Sequence, residues 1–268
     1  MALNSPWKTV WITGASTGIG RELALRLAQA GATVAVSARS ADKLVELNQL
    51  NSNIKSYPLD VEDEAACKET AARIERDLGP IDLAVLNAGI WRMMAVSDFS
   101  AARAKESMGV NYYGVINALD PVLKAMAVRG RGQIGIVSSV AGYRGLLKGA
   151  AYAPTKAALI SLTESLYPHA LRRGINFSII CPGFIETPMT ATNTFPMPFI
   201  IPVEQAVTTI VKGLARKKYE IVFPWKIALL MKTMRILPHR VFFALIAFAA
   251  DRAQTMDTAK ADNQLSDD

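Results

Sequence analysis

One alternation runs along most of this chain: short β-branched runs separated by segments long enough for a helix. Residues 9–13, 33–37, 54–58, 82–87, 133–138, 176–181 and 220–223 read as strands. Several are apolar on both faces, as Ala84-Val85-Leu86 is, which a strand requires when its sheet is covered on both sides. Residues 19–30, 41–50, 62–78, 101–128, 151–173 and 203–216 read as helices, with Gly31, Gly79-Pro80, Gly130 and Gly174 as terminators. Strand and helix in strict turn predict an α/β fold, a doubly wound parallel sheet of about seven strands flanked by helices. At 268 residues with 51% hydrophobic content, the chain can bury one large core. Residues 1–223 are therefore read as one domain. Pro168 falls inside the helix at 151–173 and is expected to kink or end it.

Composition excludes several classes. Two cysteines, Cys67 and Cys181, cannot staple a scaffold, and two histidines, His169 and His239, leave no cluster for a zinc or iron enzyme. The N-terminus has no apolar leader and no uncharged run reaches a membrane span, so a cytoplasmic chain is expected, soluble or peripheral to a membrane. Net charge is +7, but the excess is local: residues 212–240 hold eight Lys/Arg against the single Glu220. They are interleaved with Ile, Leu and Met, which argues for a basic helix face and against nucleic acid as a partner.

The first strand leads into Thr13-Gly14-Ala15-Ser16-Thr17-Gly18-Ile19-Gly20, and a helix begins there. Glycines let a backbone approach a pyrophosphate, and the helix N-terminus offers free N–H groups and the positive end of its dipole. At the end of the second strand stand Arg39 and Ser40, with no carboxylate before Asp42. A carboxylate there would bind a ribose diol, whereas a guanidinium grips a 2′-phosphate, so NADP(H) is favoured over NAD(H). The plainer reading of Arg39 is a solvated surface residue. Asp60-Val61 and Asn87-Ala88-Gly89 close the third and fourth strands, at the carboxyl ends where open α/β sheets bind ligands.

Ser138-Ser139 ends the fifth strand, Tyr152 follows Ser139 by thirteen residues, and Lys156 follows Tyr152 by four. On a helix, positions four apart share a face. A phenol ordinarily titrates near pH ~10 and a neighbouring ammonium favours its ionised form, so the pair reads as a proton-transfer device, with Ser139 holding a substrate oxygen.

Taken together, Thr-Gly-x-x-x-Gly-Ile-Gly, Asn-Ala-Gly, Ser139, Tyr152-x-x-x-Lys156 and Pro182-Gly183 resemble the short-chain dehydrogenase/reductase family over residues 8–223. The resemblance implies a Rossmann-like sheet and a Tyr152 general acid/base tuned by Lys156, which also holds the nicotinamide ribose. It implies further that the backbone of Asn111 holds a water in a proton relay. Pro182, Gly183, Ile185 and Thr187 would wrap the nicotinamide. Arg39 and Ser40 match NADP-preferring members, although Thr17 replaces the basic residue many of them carry in the glycine loop. Pro154 stands where a small residue is usual and fits only in the first helical turn. Relatives imply a homodimer or homotetramer.

Two segments bear on the substrate. Residues 189–201 carry Met189, Phe195, Met197, Phe199 and Ile200 among prolines, the pattern of a lid over a lipophilic carbonyl or alcohol or, more plainly, of core packing. Residues 224–253 read as two helices split at Pro238, placed against the domain, a partner subunit or a membrane surface. Residues 254–268 are read as a flexible tail. The expectation is an NADP(H)-dependent oxidoreductase of small lipophilic carbonyls or alcohols, the alternative a non-catalytic NADP-binding sensor or scaffold.

Overall fold

The computed structural model describes residues 5–193 and 195–248. Seven strands form one sheet, β1 (Thr9–Thr13), β2 (Thr33–Ser37), β3 (Ile54–Ser56), β4 (Leu83–Leu86), β5 (Gly132–Val137), β6 (Ile175–Pro182) and β7 (Glu220–Phe223), in the order β3-β2-β1-β4-β5-β6-β7. Every pairing is parallel. The order reverses between β1 and β4, and such a switch point opens a crevice at the carboxyl ends of the strands.

Pleating sends alternate residues to opposite layers. Val10 and Ile12 of β1 join Val34, Val36 and Val85 beneath α1 (Gly18–Gln29), α2 (Ala41–Leu50) and a later helix. Trp11 faces the other way, into a layer with Ile134, Ile136 and Phe177. That layer is closed by α3 (Glu64–Leu78) and, beyond α4 (Ala101–Met108), by α5 (Gly114–Arg129) and α6 (Ala153–Arg172). Then follow α7 (Pro188–Ala191), α8 (Val203–Ala215) on the α1 side, α9 (Trp225–Ile236), and a last helical stretch at residues 239–248. The anticipated flexible tail, 254–268, lies outside the described residues. Among those described, no helix is long and apolar enough to cross a membrane.

Three local expectations need correction. The helix read at 101–128 is interrupted by a π-helical segment, Gly109–Tyr113, around Asn111. Flanking glycines let it press on the neighbouring loop: a Cβ on Gly109 would lie 2.3 Å from Glu62 Oε1 and one on Gly114 2.5 Å from Val61 Cγ2. Pro168 does not end α6, which runs on to Arg172. A proline removes one intrahelical bond, and burial of Ala170 beyond it holds the last turn in place. β3 stops at Ser56, yet the chain stays on β2, because Tyr57 N–H donates to the Val36 carbonyl (2.9 Å) and Leu59 N–H to Ala38 (3.1 Å).

Candidate active site

The glycine loop is held by close approach. Gly14 has φ +65°, and a Cβ there would sit 2.6 Å from Ala88 Cα. A Cβ on Gly20 would meet the Gly14 carbonyl oxygen at 2.4 Å. Asn87 fixes the loop from β4, its Nδ2 donating to the carbonyls of Thr13 (3.1 Å) and Gly14 (3.0 Å). Thr13 Oγ1 accepts from the N–H groups of Asn87 and Ala88. Asn87 and Ala88 therefore shape the cradle. Thr17 is the N-cap of α1 and makes no side-chain capping bond, so the first-turn amides keep their donors for an anion. A pyrophosphate fits this glycine cradle at a helix N-terminus.

The end of β5 is sewn to α6. Ser138 Oγ donates to the Lys156 carbonyl at 2.8 Å, and a Cβ on Gly142 would lie 2.8 Å from the Lys156 backbone carbon. Ser139 caps the 3-10 turn Val140–Gly142: its Oγ accepts from Ala141 N–H at 3.1 Å and donates to the Pro182 carbonyl at 3.3 Å. Tyr152 is the N-cap of α6, and Pro154 lies within the first turn, the one place it can stand. Lys156 follows one turn on, buried, its Nζ 2.9 Å from the Val137 carbonyl oxygen and 5.5 Å from the centroid of the Tyr152 ring.

Asn111 lies behind Lys156. Its Oδ1 accepts from Ile90 N–H at 2.7 Å, and its Nδ2 donates to the Ile90 carbonyl at 3.0 Å and to Thr155 Oγ1 at 3.2 Å. A Cβ on Gly89 would stand 3.2 Å from Asn111 Oδ1 and 3.5 Å from Lys156 Nζ. The Asn111 side chain thus pins the loop after β4 to α6 beside the amine.

Burial governs the titration of the pair. It pushes the Tyr152 phenol up to about 12, with the Ser139 hydroxyl acting in the opposite direction. It brings the Lys156 ammonium down to about 8. The lowering of Tyr152 expected from Lys156 is not found: desolvation disfavours the charged form of each group, and the opposing influence on Tyr152 comes from Ser139. Tyr152 in this state holds its proton at neutral pH.

A cavity of about 950 Å³ joins the two halves. Gly14, Ser16, Thr17, Gly18 and Ile19 line one end; Asn87, Gly89, Ser139, Tyr152 and Lys156 the middle. Pro182, Gly183, Ile185 and Thr187 border it, and Thr187 Cγ2 lies 3.2 Å from where a Gly18 Cβ would be. Arg39, Ser40, Asp60 and Val61 lie outside this cavity, beyond the ends of β2 and β3. Arg39 and Ser40 are exposed, and Asp60 Oδ1 accepts from Glu62 N–H at 3.1 Å. Of the apolar lid, Met189 and Phe195 line the cavity, while Met197, Phe199 and Ile200 do not.

The substrate end holds residues not foreseen as site residues. The Trp91 ring stands edge-on to Tyr152 (4.9 Å, 82°) and meets Phe195 at 6.4 Å. From α9, Ile227, Leu230, Met231 and Met234 face the cavity, and Ile246 joins them from the last helical stretch. Gly183 admits this helix, since a Cβ there would clash with Ile227 Cγ2 at 2.7 Å. The spacing of Ile227, Met231 and Met234 was a readable signal; Trp91 sits in a loop without periodicity and gave none.

Comparison with known proteins places this arrangement. The family model for short chain dehydrogenases matches residues 8–196. An uncharacterized oxidoreductase of Myxococcus xanthus (strain DK1622) is 35% identical over 242 residues, 89% of this chain and 96% of the relative. An acetoacetyl-CoA reductase of Rhizobium meliloti (strain 1021) is 36% identical over 178 residues, 66% of this chain and 74% of that protein. The crystal structure of levodione reductase superposes with a TM-score of 0.72 at 26% identity, covering 80% of this chain and 94% of that one.

Proposed function

The chain belongs to the short chain dehydrogenase family and is a NAD(P)-dependent oxidoreductase, and from that premise we propose that it uses NADP(H) to interconvert a lipophilic carbonyl compound and its secondary alcohol, with Tyr152 as the acid and base. The observation that carries this reading is the position of Tyr152. Its phenol and the Ser139 hydroxyl border one cavity, with the glycine cradle at one end and apolar side chains at the other.

The cofactor, held by the glycine loop, Asn87, Lys156 and the 182–187 segment, would supply or accept the hydride at its nicotinamide. Ser139 holds the substrate oxygen by a hydrogen bond. Tyr152, kept protonated by burial, gives its proton to that oxygen as negative charge develops there. In the reverse direction the phenolate takes the proton back, and Lys156 in its ammonium form stabilises that phenolate from one turn away. Asn111 keeps the Lys156 end of the site in register. Trp91, Phe195, Met189 and Met231 exclude water from the reacting carbon and favour an apolar substrate body.

Arg39 carries the cofactor preference. It is exposed beyond β2, with no carboxylate before Asp42 in the chain, and its guanidinium would pair with a 2′-phosphate. The test follows nicotinamide absorbance with NADPH and NADH across a panel of lipophilic ketones and alcohols, in the wild type and in Arg39→Asp. The wild type turns over with NADPH preferred, and the substitution lowers the NADPH-to-NADH ratio of kcat/KM by about 10- to 100-fold. A wild type that prefers NADH, or an unchanged ratio, contradicts the assignment.

A further inference from the structure

The inner face of α9 belongs to the cavity; its outer face is apolar as well. Trp225, Leu229 and Ile236, spaced four and seven apart on one stripe, are 69%, 62% and 81% exposed. Val241, Phe243 and Leu245 continue the exposed apolar surface along the last helical stretch. Among these residues run Lys226, Lys232, Arg235 and Arg240, and residues 224–248 contain no Asp or Glu. Lys226 lies 5.5 Å from the ring of Phe199, a half-exposed residue of the 189–201 segment, so this surface continues onto that segment.

We propose that the outer face of residues 224–248 docks the protein on an anionic lipid surface, its apolar side chains entering the headgroup boundary and its Lys and Arg side chains meeting lipid phosphates. Two observations select this occupant. Large apolar side chains with Trp among them, flanked by cations on a segment that carries no acid of its own, match the chemistry of a charged bilayer interface. A second copy of the chain matches it poorly: Glu220 of β7 pairs with Lys232, but Lys226, Arg235 and Arg240 make no ion pair among the described residues, so a two-fold interface would set like charges against their own image. The inner face of the same helices lines the substrate end of the cavity, through Met231, Met234 and Ile246. Docking therefore brings the cavity beside the phase in which a lipophilic substrate dissolves. That last consequence rests on the proposed function; the docking itself does not.

The full chain is mixed with phosphatidylcholine vesicles made with and without phosphatidylserine, and bound protein is read by flotation and by Trp225 emission. The expected result is flotation with the anionic vesicles, a blue shift of emission that Trp225→Phe removes, and release by high salt. Lys226→Glu with Arg240→Glu lowers the vesicle affinity at least about tenfold while melting temperature and cofactor affinity stay at wild-type values. Two results overturn the proposal: a chain that stays unbound beside anionic vesicles at low salt, or Ile236→Cys chains that cross-link into dimers whether or not vesicles are present. Both readouts are independent of turnover, so an inactive enzyme that floats would sink the catalytic reading and leave this one standing.

Discussion

The edge of the Trp91 indole rests against the Tyr152 ring, their centroids 4.9 Å apart with planes at 82°. An edge-to-face pair of this kind adds ~0.5–1.5 kcal/mol beyond the area it buries. Here it fixes the phenol to which the proposed mechanism assigns the proton, and both rings line the cavity. Trp91→Ala is expected to lower kcat/KM for ketone reduction about tenfold through loss of this contact, with cofactor affinity unchanged. Steady-state kinetics beside fluorescence titration of the cofactor checks it; a parallel loss of cofactor binding would assign Trp91 to the wrong end of the site.

Lys156 makes stability and activity diverge with pH. Its folded pKa of about 8 lies below the ordinary 10.5 because burial disfavours the ammonium. Between those values the unfolded chain holds a proton that the folded chain has released, so on this group's account stability rises with pH across that window. Lys156→Met removes the increment, and the wild-type advantage in denaturant midpoint should therefore grow from pH 8 to pH 10.5. Over the same range kcat/KM for the cofactor should fall, since the ribose would lose the charged partner proposed for it. A rising kcat/KM would contradict that role.

Gly14 and Gly31 separate backbone strain from close approach. Both have positive φ, +65° and +90°, so an alanine at either is strained by about 1–2 kcal/mol. Only at Gly14 would the new methyl meet another backbone, 2.6 Å from Ala88 Cα; at Gly31 nothing lies within 4 Å. Gly14→Ala should weaken cofactor binding at least about tenfold, whereas Gly31→Ala costs stability alone. Calorimetric titration of the two variants makes the comparison.

Elements whose side chains repeat with a clear period were legible in the sequence, as all seven strands were, because buried parallel strands leave continuous apolar runs. The site was legible where a glycine or a four-residue spacing encodes geometry, as in the loop before α1 and in Tyr152 with Lys156. Three features were not. The π-helical segment around Asn111 arises from contact with Val61 and Glu62, which are distant in the chain. Trp91 reaches Tyr152 from a loop, where side-chain direction is set by tertiary contacts. The sign of the Tyr152 shift follows from how deeply both partners are buried, and spacing carries no such information. Residues 224–248 were ambiguous for a physical reason: helices apolar on two faces fit a core and a membrane surface equally well.

In the proposed mechanism everything turns on Tyr152 carrying the proton. It is tested most directly by pairing turnover with cofactor binding in Tyr152→Phe, which deletes one oxygen from a ring that stays packed against Trp91. The expected result is a fall in kcat of at least about a hundredfold, with the dissociation constant of NADPH within about twofold of wild type. Turnover near the wild-type level in that variant, with the cofactor bound as before, would contradict it.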